Sequence, residues 1–474
     1  MCLFISVKNT KAFFALSVYF IACLFFTQWR NFNGLCGQDA HEYFRYSKAL
    51  LNYFKTTQHA GDYFWPVWYP LSAACLSLLT RIPVIFSLQL VCLLSVTLIV
   101  AVVLFWQGEN KNKSPKIIYA LLAVGFSPFL WRSGLSCMAD AMSVALLMMA
   151  LFAFSKFINR ESNKWIYAFV FCAALATMTR YASAVVLLAP SILLLLKMLS
   201  NKNWKSLLLC GMIVLLVCVP HLLIRHNTPL AFVHHEWINS WSLFNFFKAD
   251  FVTRDGIQHY KVFNLAFMVL AFVHIGFGVL VLPLLFFARP KDFSSTLNKT
   301  LLFSVVFYSL FLSGIPFQNK RFLLATFPII MLLLEPAFER MLHFVKWKGL
   351  VLLIVAAVQL FLCHKFFEEY AQRSLLEQKL ASFVRQHNEK ILYTFNVDMA
   401  LASYDTSKVM RNLWKEKYDS FEIKSLVLFN ETEFAQQWKG KNPMLNWENL
   451  KKYYLLERIS NEGTWVLYRI ESRK

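Results

Sequence analysis

Long apolar runs separated by short basic connections fill the first 363 residues, and shorter alternating patterns follow. Runs able to cross a ~30 Å hydrocarbon core at ~1.5 Å per residue lie at 12–28, 82–106, 116–132, 135–155, 165–180, 181–199, 206–224, 263–287, 300–316, 321–338 and 349–363. They predict an all-α polytopic membrane protein with roughly eleven transmembrane helices. The first run lacks a small-residue cleavage pattern and reads as a retained span, not a removed signal peptide.

Two stretches interrupt this pattern. Between 29 and 80 the chain is polar and aromatic. Counting from Asp39, the residues Tyr43, Phe44, Ser47, Leu50, Leu51 and Phe54 fall on one side at helical spacing, and His41, Arg45, Lys48, Asn52 and Lys55 on the other. This predicts an amphipathic helix along the membrane surface, its apolar side in lipid and Asp39 at its mouth. The bland reading is a cap, Asp39 at the N-cap with Glu42 at N3. The apolar stretch from Trp65-Pro66-Val67-Trp68-Tyr69-Pro70-Leu71 to Leu79 reads as interfacial or re-entrant. The second interruption, 225–262, is too polar to cross and reads as a cap over the membrane region. These are the two expected external loops of a membrane domain spanning 1–363.

Beyond residue 363 the apolar runs shorten. Ile391–Phe395, Ser425–Phe429 and Trp465–Ile470 read as strands, and Met399–Lys417 and Glu431–Trp438 as helices. The prediction for 364–474 is a small soluble α/β domain.

Charge changes the picture only when it is divided along the chain. The formal net charge is +21, yet residues 364–474 hold 18 basic and 15 acidic residues, so +18 belongs to the membrane part. That excess gathers in alternate connections, among them Lys111, Lys113 and Lys116, Lys156, Arg160 and Lys164, and Arg340, Lys346 and Lys348. Basic clusters of this kind mark the cytoplasmic side, which makes nucleic acid an unnecessary partner. They set the N-terminus inside and the C-terminal domain outside. Composition agrees, with 58% hydrophobic and 16% charged residues. The ten cysteines form no C-x-x-C pair and predict neither a disulfide framework nor a zinc site.

This topology sorts the acids. Asp39, Glu42, Asp62, Asp140, Glu236, Asp250 and Asp255 face outside, whereas Glu109, Glu161, Asp292, Glu335 and Glu339 lie at the basic side. Asp140 sits at the outer end of an apolar span, where an ionisable group costs a few kcal/mol and usually serves a site or a partner. Two carboxylates meeting on the outer face suit proton acceptance, and Asp39 and Asp140 are also the candidate ligands of a divalent cation, Mg or Mn. Arg180, in a tight hairpin, and Lys320-Arg321, in another, suit a lipid-linked phosphate, the alternative being headgroup anchoring. Glu42 and Tyr43 complete the candidate substrate contacts. His234-His235 is a weaker metal candidate.

These residues, in this order and on this side of the membrane, resemble the membrane glycosyltransferases of the GT-C superfamily, in particular bacterial relatives of protein O-mannosyltransferase and of the lipid A aminoarabinose transferase. The resemblance rests on Gly37-Gln38-Asp39-Ala40, Trp65-Pro66-Val67-Trp68-Tyr69-Pro70-Leu71, Ser127-Pro128, Ala139-Asp140, Thr179-Arg180-Tyr181, and Arg321-Phe322 followed by Pro328. It implies transfer of a sugar from a polyprenyl-phosphate donor to an extracytoplasmic acceptor, with inversion, in a bacterial inner membrane. Asp39 would be the base, Asp140 would support the site or its cation, and Arg180 and Arg321 would hold the donor phosphate. One departure is Phe64-Trp65 before Pro66, where several relatives carry an acidic residue and a lysine; it bears on any metal role for Asp62. A transporter or flippase would show repeated halves and mid-membrane polar residues, which are not found. A polyprenyl-linked oligosaccharide polymerase or ligase is the nearer alternative.

Overall fold

The computed structural model describes residues 10–61, 63–106, 114–225, 235–404 and 407–474. Glu109, Lys111 and Lys113 of the first basic connection, Asp62 and His234 lie outside them. In chain order the helices of the first half are α1 (Thr10–Trp29), α2 (Gly37–Thr56), α3 (Trp68–Thr80), α4 (Val84–Phe105), α5 (Ser114–Tyr119), α6 (Pro128–Gly134), α7 (Ala139–Arg160), α8 (Asn163–Thr179), α9 (Ser183–Val186), α10 (Leu188–Ser200) and α11 (Trp204–Ile224). There follow α12 (Glu236–Asn239), the hairpin β1 (Asp250–Thr253) and β2 (Gly256–His259), α13 (Asn264–Leu270), α14 (Val281–Phe287), α15 (Thr296–Gly314), α16 (Phe327–Phe344) and α17 (Lys348–Arg385).

Six of these, α1, α4, α7, α11, α15 and α17, are long and apolar enough to cross a membrane. The pair Lys116–Gly125 and Pro128–Gly134, bent by 67°, is a broken span or a re-entrant loop; a π-helical turn at Ala120–Gly125 and the proline at the start of α6 break its hydrogen-bond ladder. The apolar runs predicted elsewhere are broken up. The run at 181–199 divides into α9 and α10, and 263–287 into α13 and α14 with turns between them; the run at 321–338 opens with a 3-10 turn, Lys320–Ala325, before α16. Hydropathy counts such segments as spans because it does not register where the helix stops. The core lies among α4, α7, α8 and α16; α1 and α11 keep large apolar side chains such as Phe14, Ile21, Leu208 and Leu223 exposed, as lipid-facing helices do.

α2 exists, but it does not lie in lipid. Tyr46 and Leu50 are fully buried, and Tyr43 packs on the rings of Trp65 and Tyr69. His41, on the predicted polar side, is also fully buried. The apolar face is covered by α3, a 13-residue helix too short to cross.

α17 is 38 residues long, about 57 Å at 1.5 Å per residue, so roughly half of it rises beyond a ~30 Å hydrocarbon core. It passes through residue 364 without a break and leads into a five-stranded sheet of order β4-β3-β5-β7-β6. Here β3 is Ile391–Thr394, β4 Val409–Asn412, β5 Leu426–Phe429, β6 Tyr454–Glu462 and β7 Trp465–Arg473. β3 pairs parallel with β4 and β5, which requires crossovers, and β5, β7 and β6 run antiparallel. The helix predicted for Met399–Lys417 is only Asp398–Tyr404, followed by β4; a four-residue edge strand that alternates exposed and half-buried positions carries little strand signal of its own. The β1–β2 hairpin leans on this domain through Trp414 Nε1 donating to Arg254 O at 3.1 Å and Gln437 Nε2 donating to Asp255 O at 3.2 Å.

Candidate active site

Four separate segments deliver charged side chains to one place. Asp39 stands in the first turn of α2 and Asp140 in the first turn of α7. Arg180 follows the last residue of α8, and Arg321 belongs to the 3-10 turn before α16. Arg321 Nη2 donates to Asp39 Oδ2 at 2.7 Å, and its Nε lies 3.6 Å from Asp140 Oδ2. Arg180 pairs with the other oxygen of Asp140. The carboxylates are thus bridged by one guanidinium and flanked by a second, and the four charges cancel. Arg321 Nε is buried and makes no hydrogen bond, which leaves a strong donor unused beside the cavity.

Asp39 is not the helix cap. The N-cap of α2 is Cys36, without a side-chain cap hydrogen bond, and Asp39 occupies N3 with its carboxylate turned to Arg321. Glu42 lies one turn further, 3.6 Å from Arg45. Burial, set against Arg45 and Lys415 nearby, pushes its carboxyl above the ordinary range.

These groups line a cavity of about 320 Å³ walled by Tyr43, Trp65, Tyr181, Trp237, Tyr308 and Phe322. Its walls are largely apolar, Asp140 is buried among them, and Asp39 stays partly exposed. Arg180 stacks over Phe322 at 4.8 Å. Beside it runs a second, apolar groove of about 400 Å³ between α8, α10 and α11. Ala184 and Leu187 of that groove alternate along the chain with Ala182 and Val185 of the charged cavity. The segment 182–187 therefore stands between a charged pocket and an apolar groove.

Other predicted residues fall elsewhere. Lys320, next to Arg321, turns the opposite way and stands 5.5 Å over the Phe129 ring, outside the cavity lining. Neither does Glu42 line the cavity. His235 does, but its Nδ1 accepts from Trp237 N–H at 3.2 Å. Asp250 pairs with His259 on an exposed hairpin. At the other end of the bundle Asp292 pairs with Arg340, and Glu335 lies 3.4 Å from Lys116. Among the described residues no three His, Cys, Asp or Glu side chains converge as a metal site. The donor set around Asp39 and Asp140, two carboxylates already held by arginine, does not fit a divalent cation in this arrangement.

Sequence reasoning named Tyr43 but missed most of the aromatic wall, Trp237 and Tyr308 above all, because single aromatics inside apolar runs carry no signal of their own. Tyr181 and Phe322 adjoin the two arginines in sequence, and that adjacency was the available clue.

Residues 66–224 match the family described as dolichyl-phosphate-mannose-protein mannosyltransferase, a region that holds Asp140 and Arg180. A comparison with curated proteins finds no match. Among solved structures, the fold is similar to ArnT from Cupriavidus metallidurans bound to undecaprenyl phosphate, with TM-score 0.63 and 12% identity over 97% of this chain and 98% of that one. It is also similar to the archaeal oligosaccharyltransferase AglB from Archaeoglobus fulgidus in complex with an inhibitory peptide and a dolichol-phosphate, with TM-score 0.51 and 13% identity over 97% of this chain and 74% of that one. The chain thus has a fold similar to that of ArnT along nearly its whole length, and the resemblance drawn from its sequence is borne out by that fold and by the family match over residues 66–224.

Proposed function

We propose that this protein is an integral-membrane glycosyltransferase that moves a hexosyl or pentosyl group from a polyprenyl-phosphate donor to an acceptor on the extracytoplasmic face of a bacterial inner membrane. The observation that carries the reading is the convergence of Asp39, Asp140, Arg180 and Arg321 in a cavity with largely apolar walls, near an apolar groove lined by neighbouring residues of the segment 182–187. The groove takes the polyprenyl chain and the guanidiniums take the phosphate. A phosphodiester oxygen gives Arg321 Nε the partner it lacks and competes with both carboxylates for the arginines. Asp39 is thereby released to accept a proton.

In the transfer, Asp39 takes the acceptor's hydroxyl proton while that oxygen forms a bond to the anomeric carbon. The bond from that carbon to the phosphate oxygen breaks on the opposite side, and the phosphate departs with the electron pair. A single in-line displacement inverts the anomeric configuration. Arg180 and Arg321 stabilise the charge gathering on the leaving phosphate, and Asp140 fixes both arginines. No step requires a metal. The test is transfer of labelled sugar from a panel of polyprenyl-phosphate donors by protein in lipid vesicles. Product that depends on the donor supports the reading, and movement of intact donor across the bilayer without transfer would replace it with a flippase.

A further inference from the structure

A carboxylate in the first turn of a helix is normally drawn to the free backbone N–H groups there. Asp39 is not, and the cap that α2 lacks in its own sequence comes from the far end of the chain. Glu377, on the part of α17 that rises beyond membrane length, accepts the Gly37 N–H with both oxygens, at 3.2 and 3.3 Å. Its Oε2 lies 3.1 Å from His41 Nε2, and Arg373 Nε donates to its Oε1 at 2.7 Å. Arg373 also donates to Asn396 O at 3.0 Å. The side chains of His41 and Glu377 are 0% and 1% exposed. Around them Gln38 Nε2 donates to Asp398 Oδ1 at 2.7 Å, Met399 N–H donates to Gln38 Oε1 at 3.3 Å, and Asn33 Nδ2 donates to the Tyr404 hydroxyl at 3.0 Å.

Burying a carboxylate this completely costs several kcal/mol before its partners offset the loss. An apolar pair of the same volume would hold two helices together at least as well. What an apolar pair does not supply is direction: hydrogen bonds to Gly37 and His41 fix both the rotation and the height of α2 relative to α17, and Arg373, one turn back on α17, holds the carboxylate in place. Asp39 lies two residues from Gly37 and two from His41.

We infer that Glu377 is a positioning residue for sugar transfer, fixing the N-terminus of α2 through Gly37 and His41 so that the Asp39 carboxylate is relieved of capping and faces Arg321 and the cavity. The inference rests on the proposed transfer reaction. It makes the C-terminal domain part of the active-site scaffold and not only a cover over it.

The experiment uses the full chain in lipid nanodiscs with a polyprenyl-phosphate sugar that the wild type accepts. Glu377→Gln replaces one acceptor oxygen by a donor facing other donors. It should lower kcat about 10- to 100-fold, as a displacement of about 1 Å does, with donor KM within about twofold. In an Asp39→Asn background the same change should alter the residual rate by less than about twofold, because the group being positioned is gone. His41→Gln, which keeps an amide donor where Nε2 stood, should fall less than His41→Leu. Equal losses from Glu377→Gln in both backgrounds, or none in either, would overturn the inference while leaving the transfer reaction intact. If wild type transfers no sugar, or Asp39→Asn transfers as well as wild type, the transfer reading itself has failed. Amide hydrogen exchange then decides the positioning claim alone: faster exchange over residues 37–43 confined to that stretch in Glu377→Gln supports it, and unchanged exchange there refutes it.

Discussion

Among the described residues Arg321 is the side chain in contact with both carboxylates of the cavity, so its replacement tests the site most sharply. Arg321→Gln keeps length and a donor but removes the charge and the fork. Two consequences separate. Asp140 retains Arg180, so Asp39 alone loses its partner, and its side chain is 29% exposed. Water then offsets part of the loss, and destabilisation should be about 1–2 kcal/mol, below the ~3–5 kcal/mol expected for breaking a fully buried pair. The rate consequence is larger. Losing one preorganised cation at the departing phosphate should lower kcat by about 10²–10³, or roughly 2.7–4 kcal/mol of transition-state stabilisation. Initial rates of sugar transfer at saturating donor measure it, and inhibition by free polyprenyl phosphate should weaken in parallel. Arg321→Lys restores a point charge without bidentate geometry and should recover only part of the rate. An Arg321→Gln enzyme within about threefold of wild type, inhibited as strongly by polyprenyl phosphate, would refute the reasoning.

Two further outcomes follow from the same geometry. Burial holds the Glu42 carboxyl above its ordinary value, so ionising it costs the folded state stability as pH rises from the ordinary carboxylate range through the folded value. Glu42→Gln should therefore raise the unfolding temperature at pH 7 and lose that advantage below the ordinary carboxylate range, with transfer changed by less than about threefold because Glu42 does not line the cavity; pH-resolved thermal unfolding in detergent and rate assays check both. Because Arg321 stands between the two candidate metal ligands, removing divalent cations with a chelator should leave transfer within about twofold, and a loss restored by Mg or Mn would assign the carboxylates to a metal instead.

The sequence carried the site further than it carried the helices. Asp140, Arg180 and Arg321 stood out because charges at the ends of apolar runs are costly and usually serve something, Asp39 because it opens an amphipathic helix on the same side, and all four meet in one cavity. Lys320 looked equivalent to Arg321, but neighbouring residues in a 3-10 turn point in different directions. The surface helix was half legible. Its period placed Tyr43, Ser47 and Leu50 on the buried face but put buried His41 on the polar side and exposed Phe54 on the apolar one, and hydropathy does not distinguish a lipid partner from α3, which packs there. The eleven apolar runs are not matched one for one by long helices among the described residues, because turns interrupt several of them, as at 271–280. Glu377 was invisible: in a tail where acids and bases nearly balance, one glutamate carries no mark of a contact 340 residues away.

The most direct test of the account is sugar transfer from a polyprenyl-phosphate donor by purified wild type and by Asp39→Asn, both in vesicles and both shown to be folded by thermal unfolding. The account predicts transfer by wild type with inversion at the anomeric carbon, and a loss of about 10²-fold or more in the variant, typical of a general base. Equal transfer by the two proteins would contradict it and reduce Asp39 to a partner of Arg321.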